Sequence, residues 1–123
     1  MTDNKKKIFF CKLKELKNKK FVVKYIDEFK DEIIIFFDKE TKKLKSFSSI
    51  CPHFGGTIVY DYKISNLICN WHGWKFCKTS GKCLSYPIKS TLREYDFIVN
   101  PNNLKKYVAR LDSQDVYVTN ANE

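Results

Sequence analysis

Two short blocks constrain this chain more than anything else in it. Cys51-Pro52-His53-Phe54-Gly55-Gly56 and Cys69-Asn70-Trp71-His72-Gly73-Trp74 together hold both of its histidines. In each block the histidine follows a cysteine by two or three positions, and fifteen residues separate His53 from Cys69. Each block is turn-prone and follows an apolar run, so each reads as a loop at the end of a strand. Two matching loops can present one thiolate and one imidazole each to a common centre. A fold that allows this must bring residues 50–57 and 68–77 side by side.

The rest of the patterning supplies strands. Lys7–Cys11, Phe21–Ile26, Glu32–Phe37, Leu44–Ser48, Thr57–Tyr60, Ser65–Asn70, Glu94–Asn100 and Asp115–Thr119 are short apolar or alternating runs. Asp38–Lys43 and Asn100–Asn103 read as turns between them. Glu32–Phe37 is nearly continuous in apolar residues, as a strand covered on both faces would be. Lys12–Lys20 has Leu13 and Leu16 at helical spacing, but it is short and heavily charged, and is expected to be a turn or irregular connection. Eight to ten short strands with little helix predict an all-β fold, an antiparallel sandwich or barrel. At 123 residues the chain is expected to be one domain, 1–123.

The donor set has two thiolates and two imidazoles. Tetrahedral zinc accepts it, and so does a [2Fe–2S] cluster with two cysteines on one iron and two histidines on the other. Ligand count does not separate the two. The ligand order helps, because zinc fingers usually group their cysteines and their histidines. Here the order alternates Cys, His, Cys, His, so each loop gives one ligand to each metal of a two-metal rhomb.

CPHFGG followed by CNWHGWKF resembles the Rieske [2Fe–2S] signature, with its Pro before the first His and its WHGW-x-F block. Ser80-Gly81-Lys82-Cys83-Leu84, Pro87 and the closing YDFIV and DVYV strands extend the likeness to small Rieske ferredoxins. The resemblance implies a Rieske-like antiparallel sandwich or barrel with a small cluster-binding subdomain of two ligand loops. It also implies a covering proline loop near 84–90. It assigns Cys51 and Cys69 to the inner iron, and His53 and His72 to the outer iron. Gly55, Gly56, Trp71, Gly73, Trp74, Phe76 and Pro87 would form the shell of the cluster. His53, Phe54, His72 and Pro87 would meet a redox partner. Trp71 is read either as a partner contact or as shielding.

The resemblance also bears on tuning. Respiratory members bridge their two loops with a second cysteine pair, and the corresponding positions here are Gly56 and Trp71. Those members place Ser and Tyr hydroxyls where this chain has Trp74 and Phe76. Fewer donors imply a potential near the low end of the Rieske range of about −150 to +300 mV.

Composition closes off other readings. A Rieske oxygenase needs further histidines for a mononuclear iron and a second domain, and both histidines here are already used. The chain is therefore read as an electron carrier without catalytic residues. Its expected partners are a flavin-dependent reductase and a terminal oxygenase. A small subunit of a nitrite-reductase-like complex is the alternative, followed by a zinc-stabilised basic binding module. Lys plus Arg exceed Asp plus Glu by 23 to 14, but lysine outnumbers arginine 21 to 2, which points to compositional bias and solvated lysines. Neither nucleic acid nor membrane is an expected partner, and a monomer is expected. No run reaches the 18 apolar residues of a membrane span, and no secretory signal is evident, so a cytoplasmic protein is expected. Cys11, Cys77 and Cys83 are read as free thiols.

Overall fold

The computed structural model describes residues 7–52, 55–71, 73–85, 90–100 and 115–122. Nine strands appear in it: β1 (Ile8–Lys12), β2 (Phe21–Ile26), β3 (Asp31–Phe37), β4 (Leu44–Ser48), β5 (Ile58–Asp61), β6 (Asn66–Cys69), β7 (Lys75–Phe76), β8 (Glu94–Asn100) and β9 (Asp115–Asn122). Six of them pair antiparallel in the order β1-β9-β8-β4-β3-β2, forming a nearly closed sheet. At the gap between its end strands, the Lys24 ammonium donates to the Phe10 carbonyl. That carbonyl lies at the bulge where β1 slips register against β9. The other three strands form a separate sheet, β5-β6-β7.

The apolar run of β3 explains how the two sheets share one body. Ile33 and Ile35 face one core with Phe10, Leu16 and Tyr95. Ile34 and Phe36 face a second core with Phe47, Ile58, Tyr60 and Leu67. All four β3 side chains are fully buried, as expected for a strand covered on both sides. In the second core Phe36 stacks on Tyr60 at 4.8 Å between ring centroids. The three-stranded sheet therefore lies against one face of the larger one. Among the described residues no helix is long and apolar enough to cross a membrane.

One expectation is corrected. Lys12–Lys20 is not irregular, because α1 spans Leu13–Lys19. Glu15 accepts a 3.3 Å hydrogen bond from the Lys12 N–H at the helix start. Leu16 is fully buried in the first core, and Leu13 packs at its edge. Lys20 ends the helix in the left-handed region, its N–H donating to the Leu16 carbonyl at 2.8 Å. Burial of one leucine face carries a helix too short to persist alone. Asn100–Asn103 falls mostly outside the described residues.

Candidate metal centre

The two cysteine blocks fold into turns built on the same hydrogen-bond circuit. In the first, the Cys51 N–H donates to the Gly56 carbonyl (2.7 Å) and the Gly55 N–H donates back to the Cys51 carbonyl (2.9 Å). In the second, the Cys69 N–H donates to the Trp74 carbonyl (2.8 Å) and the Gly73 N–H to the Cys69 carbonyl (2.8 Å). The fourth residue after each cysteine has a positive φ, +77° at Gly55 and +72° at Gly73, where a side chain would be strained. The Asn70 N–H donates to the Thr57 carbonyl at 3.0 Å and ties the turns at their bases.

Both thiols enter the second core: Cys51 is 1% exposed and Cys69 is fully buried. Cys69 pairs across the ladder with Ile58, in the strand that leaves the first turn. The structure thus brings the two cysteine turns together. His53, Phe54, His72 and Pro87 lie outside the described residues. Of the loop near 84–90, only 84, 85 and 90 are described.

A third turn repeats the circuit, and reading the sequence block by block missed it. The Cys77 N–H donates to the Lys82 carbonyl (2.8 Å), and the Gly81 N–H to the Cys77 carbonyl (2.7 Å), with Gly81 at φ +78°. The signal was present in the sequence. CPHFG, CNWHG and CKTSG all read Cys-x-x-x-Gly. Hydrogen bonds from Ser80 outweigh partial burial and, with others from Thr79, lower the pKa of the Cys77 thiol. Cys83 pairs with Phe76, the neighbour of Cys77. Both cysteines are free, as is Cys11. Burial pushes the Cys11 thiol up to about 12.

Around the two turns, glycine and aromatic residues divide the work. Gly56 is buried and allows close approach. A Cβ there would stand 3.0 Å from Sγ of Cys69 and 3.0 Å from both Cβ and Cγ of Trp71. Phe76 is fully buried, and Trp74 packs at the edge of the second core. Trp71 is 65% exposed and Leu84 is 54% exposed. Ile50 and Pro52 form one wall of an open cleft of about 340 Å³, with Leu92, Lys30 and Arg93 among its other lining residues. Two buried thiols in matching turns, with a glycine cradle between them, suit a soft, thiolate-bound metal centre. Among the described residues no three His, Cys, Asp or Glu side chains converge, since both histidines lie outside them.

A buried charge fixes the three-stranded sheet to the larger one. Lys78, one residue after Cys77, donates to Asp38 (2.7 Å), Glu40 (2.5 Å) and Ser65 (2.6 Å). Asp38 and Glu40 belong to the connection between β3 and β4. The Lys78 side chain is 13% exposed and that of Asp38 is 3% exposed. Burial alone would raise the Asp38 carboxyl, but hydrogen bonds from Lys78 and Thr41 hold it at about 2. Lys78 is thus an exception to the expectation of solvated lysines.

The family model of the Rieske [2Fe-2S] domain matches residues 6–96. No curated protein matches the chain by sequence. Several solved structures share its fold. The ferredoxin of carbazole 1,9a-dioxygenase from Nocardioides aromaticivorans aligns at TM-score 0.67 and 18% identity, over 93% of this chain and 97% of its own. The plasma membrane Rieske protein of the cyanobacterium Synechocystis aligns at 0.66 and 18%, over 93% and 98%. The putative NADH-dependent nitrite reductase small subunit of Mycobacterium tuberculosis aligns at 0.62 and 14%, over 94% and 96%.

Proposed function

The chain belongs to the Rieske [2Fe-2S] domain family, and from that premise we propose that it is a soluble, cytoplasmic one-electron carrier between a flavin-dependent reductase and a terminal oxygenase. Membership implies a Rieske-type [2Fe–2S] cluster and an electron-transfer role. The observation that carries the assignment to this site is the matched pair of cysteine turns.

Cys51 and Cys69 would hold one iron as thiolates, and His53 and His72 the other as neutral imidazoles. The bound cluster supplies one-electron redox chemistry. The residues of this chain do the rest. Each turn would fix one of the two thiolates. The second core keeps water from the cysteine side. Phe76 offers no hydroxyl, and that favours a low potential. The histidine side would face the partner, with exposed Trp71 and Leu84 as apolar contacts beside it. Lys30 and Arg93, on the cleft by Pro52, would attract an acidic partner and make its association rate fall with salt.

With both histidines used as ligands, the chain would have no second iron site and no catalytic base, so it would serve an enzyme rather than be one. The fold shared with a nitrite reductase small subunit favours a second reading, the small subunit of such a complex. Purified reductases separate the two. Reduction of the carrier by an oxygenase-type flavin reductase, with onward transfer to an oxygenase, supports the first reading. Stable co-purification with a large nitrite reductase subunit supports the second.

A further inference from the structure

Trp71 is placed unusually for so large an apolar side chain. It is 65% exposed, yet the root of its ring presses on the backbone of the other ligand turn. Cβ and Cγ of Trp71 both lie 3.0 Å from where Gly56 would carry a Cβ, and Sγ of Cys69 lies 3.0 Å from the same point. One glycine thus meets a residue of the second turn and the thiol that turn presents. Lower down, the backbone bond from Asn70 to Thr57 (3.0 Å) and the ladder of β5 with β6 join the turns.

We propose that Trp71 clasps the two ligand turns together through Gly56, its packing there helping to hold Cys51 and Cys69 at a fixed separation. Trp71 is then a positioning residue, acting on the cluster through the turns. The inference rests on the cluster reading of the site. The clasp needs glycine at 56, because even a methyl group would enter the space that the ring root and the thiol already fill. It contains no covalent bond, so it is indifferent to the thiol–disulfide poise of its surroundings.

The test uses the full chain with its cluster, purified without oxygen, with iron and sulfide quantified. The readout is the rate at which visible absorption decays in an iron chelator. W71A is expected to lose its cluster about tenfold faster, as one packed aromatic contact removed from a loop equilibrium would do. W71F keeps Cβ, Cγ and a ring, and is expected to stay within about twofold of wild type. Iron-replete W71A with a wild-type lifetime would overturn the clasp alone, as would W71F decaying like W71A. Wild-type protein without iron and sulfide would overturn the cluster reading and the clasp with it.

Discussion

Replacing Lys78 by methionine removes the cation that joins the three-stranded sheet to the β3–β4 connection. The change keeps the volume of the side chain and deletes three hydrogen bonds, to Asp38, Glu40 and Ser65. The three acceptors lose unequal amounts. Glu40 is 65% exposed and returns to water at little cost. Asp38, 3% exposed, is left as a buried carboxylate. Its remaining donors are Thr41 Oγ1 at 2.7 Å, the N–H groups of Glu40 and Thr41 at 3.2 and 3.3 Å, and the hydroxyls of Ser65 and Tyr60 at 3.4 and 3.5 Å. Breaking a buried pair from one side costs about 3–5 kcal/mol, and these surviving bonds place K78M near the lower value, at about 3 kcal/mol. Denaturant unfolding of the holoprotein at pH 7, followed by circular dichroism, measures it. The D38N/K78M double variant removes the stranded charge and should recover about half the loss. Acid dependence gives a second handle. Asp38 titrates near 2 in the fold against an ordinary 3.8. Its contribution of about 2 kcal/mol is therefore full above pH ~4 and fades as pH falls toward 2. K78M should lose that dependence, because its carboxyl rises. A loss under about 1 kcal/mol in K78M, or a double variant no more stable than K78M, would refute the reasoning.

Other expectations follow from single groups. F76Y and W74S should each raise the reduction potential, and protein-film voltammetry showing no rise in either would remove the hydroxyl argument. G81A should destabilise more than G73A. Both positions have positive φ, but a Cβ at Gly81 would also meet the Leu92 carbonyl and the Phe47 ring at 3.0 Å, while at Gly73 it would meet nothing within 4 Å among the described residues. Thermal melts rank the pair, and equal losses would show that backbone strain alone decides. Iodoacetamide at pH 7 should label Cys77, with its lowered pKa, well before the buried Cys11, held near 12. Peptide mass mapping reads the order.

The strands other than the two-residue β7 were legible because their apolar periodicity is local, and β3 declared its double burial by an unbroken run. The cysteine turns were legible because ligand spacing survives without tertiary context. Three features were not. Helix Leu13–Lys19 exists because Leu16 reaches a core assembled from distant strands, which a charged seven-residue segment does not advertise. The Lys78–Asp38 pair spans forty positions, and in a lysine-rich sequence one buried lysine looks like its solvated neighbours. The contact between Gly56 and Trp71 depends on how the two turns stack, and spacing alone does not encode that.

The most direct test of the central claim is electron paramagnetic resonance of anaerobically purified protein, before and after dithionite, with iron and sulfide counted. The account predicts two irons and two acid-labile sulfides per chain. It also predicts silence when oxidised, and a rhombic signal on reduction whose average g lies below that of all-cysteine clusters. A colourless protein that stays iron-free after anaerobic reconstitution and binds one zinc would contradict it.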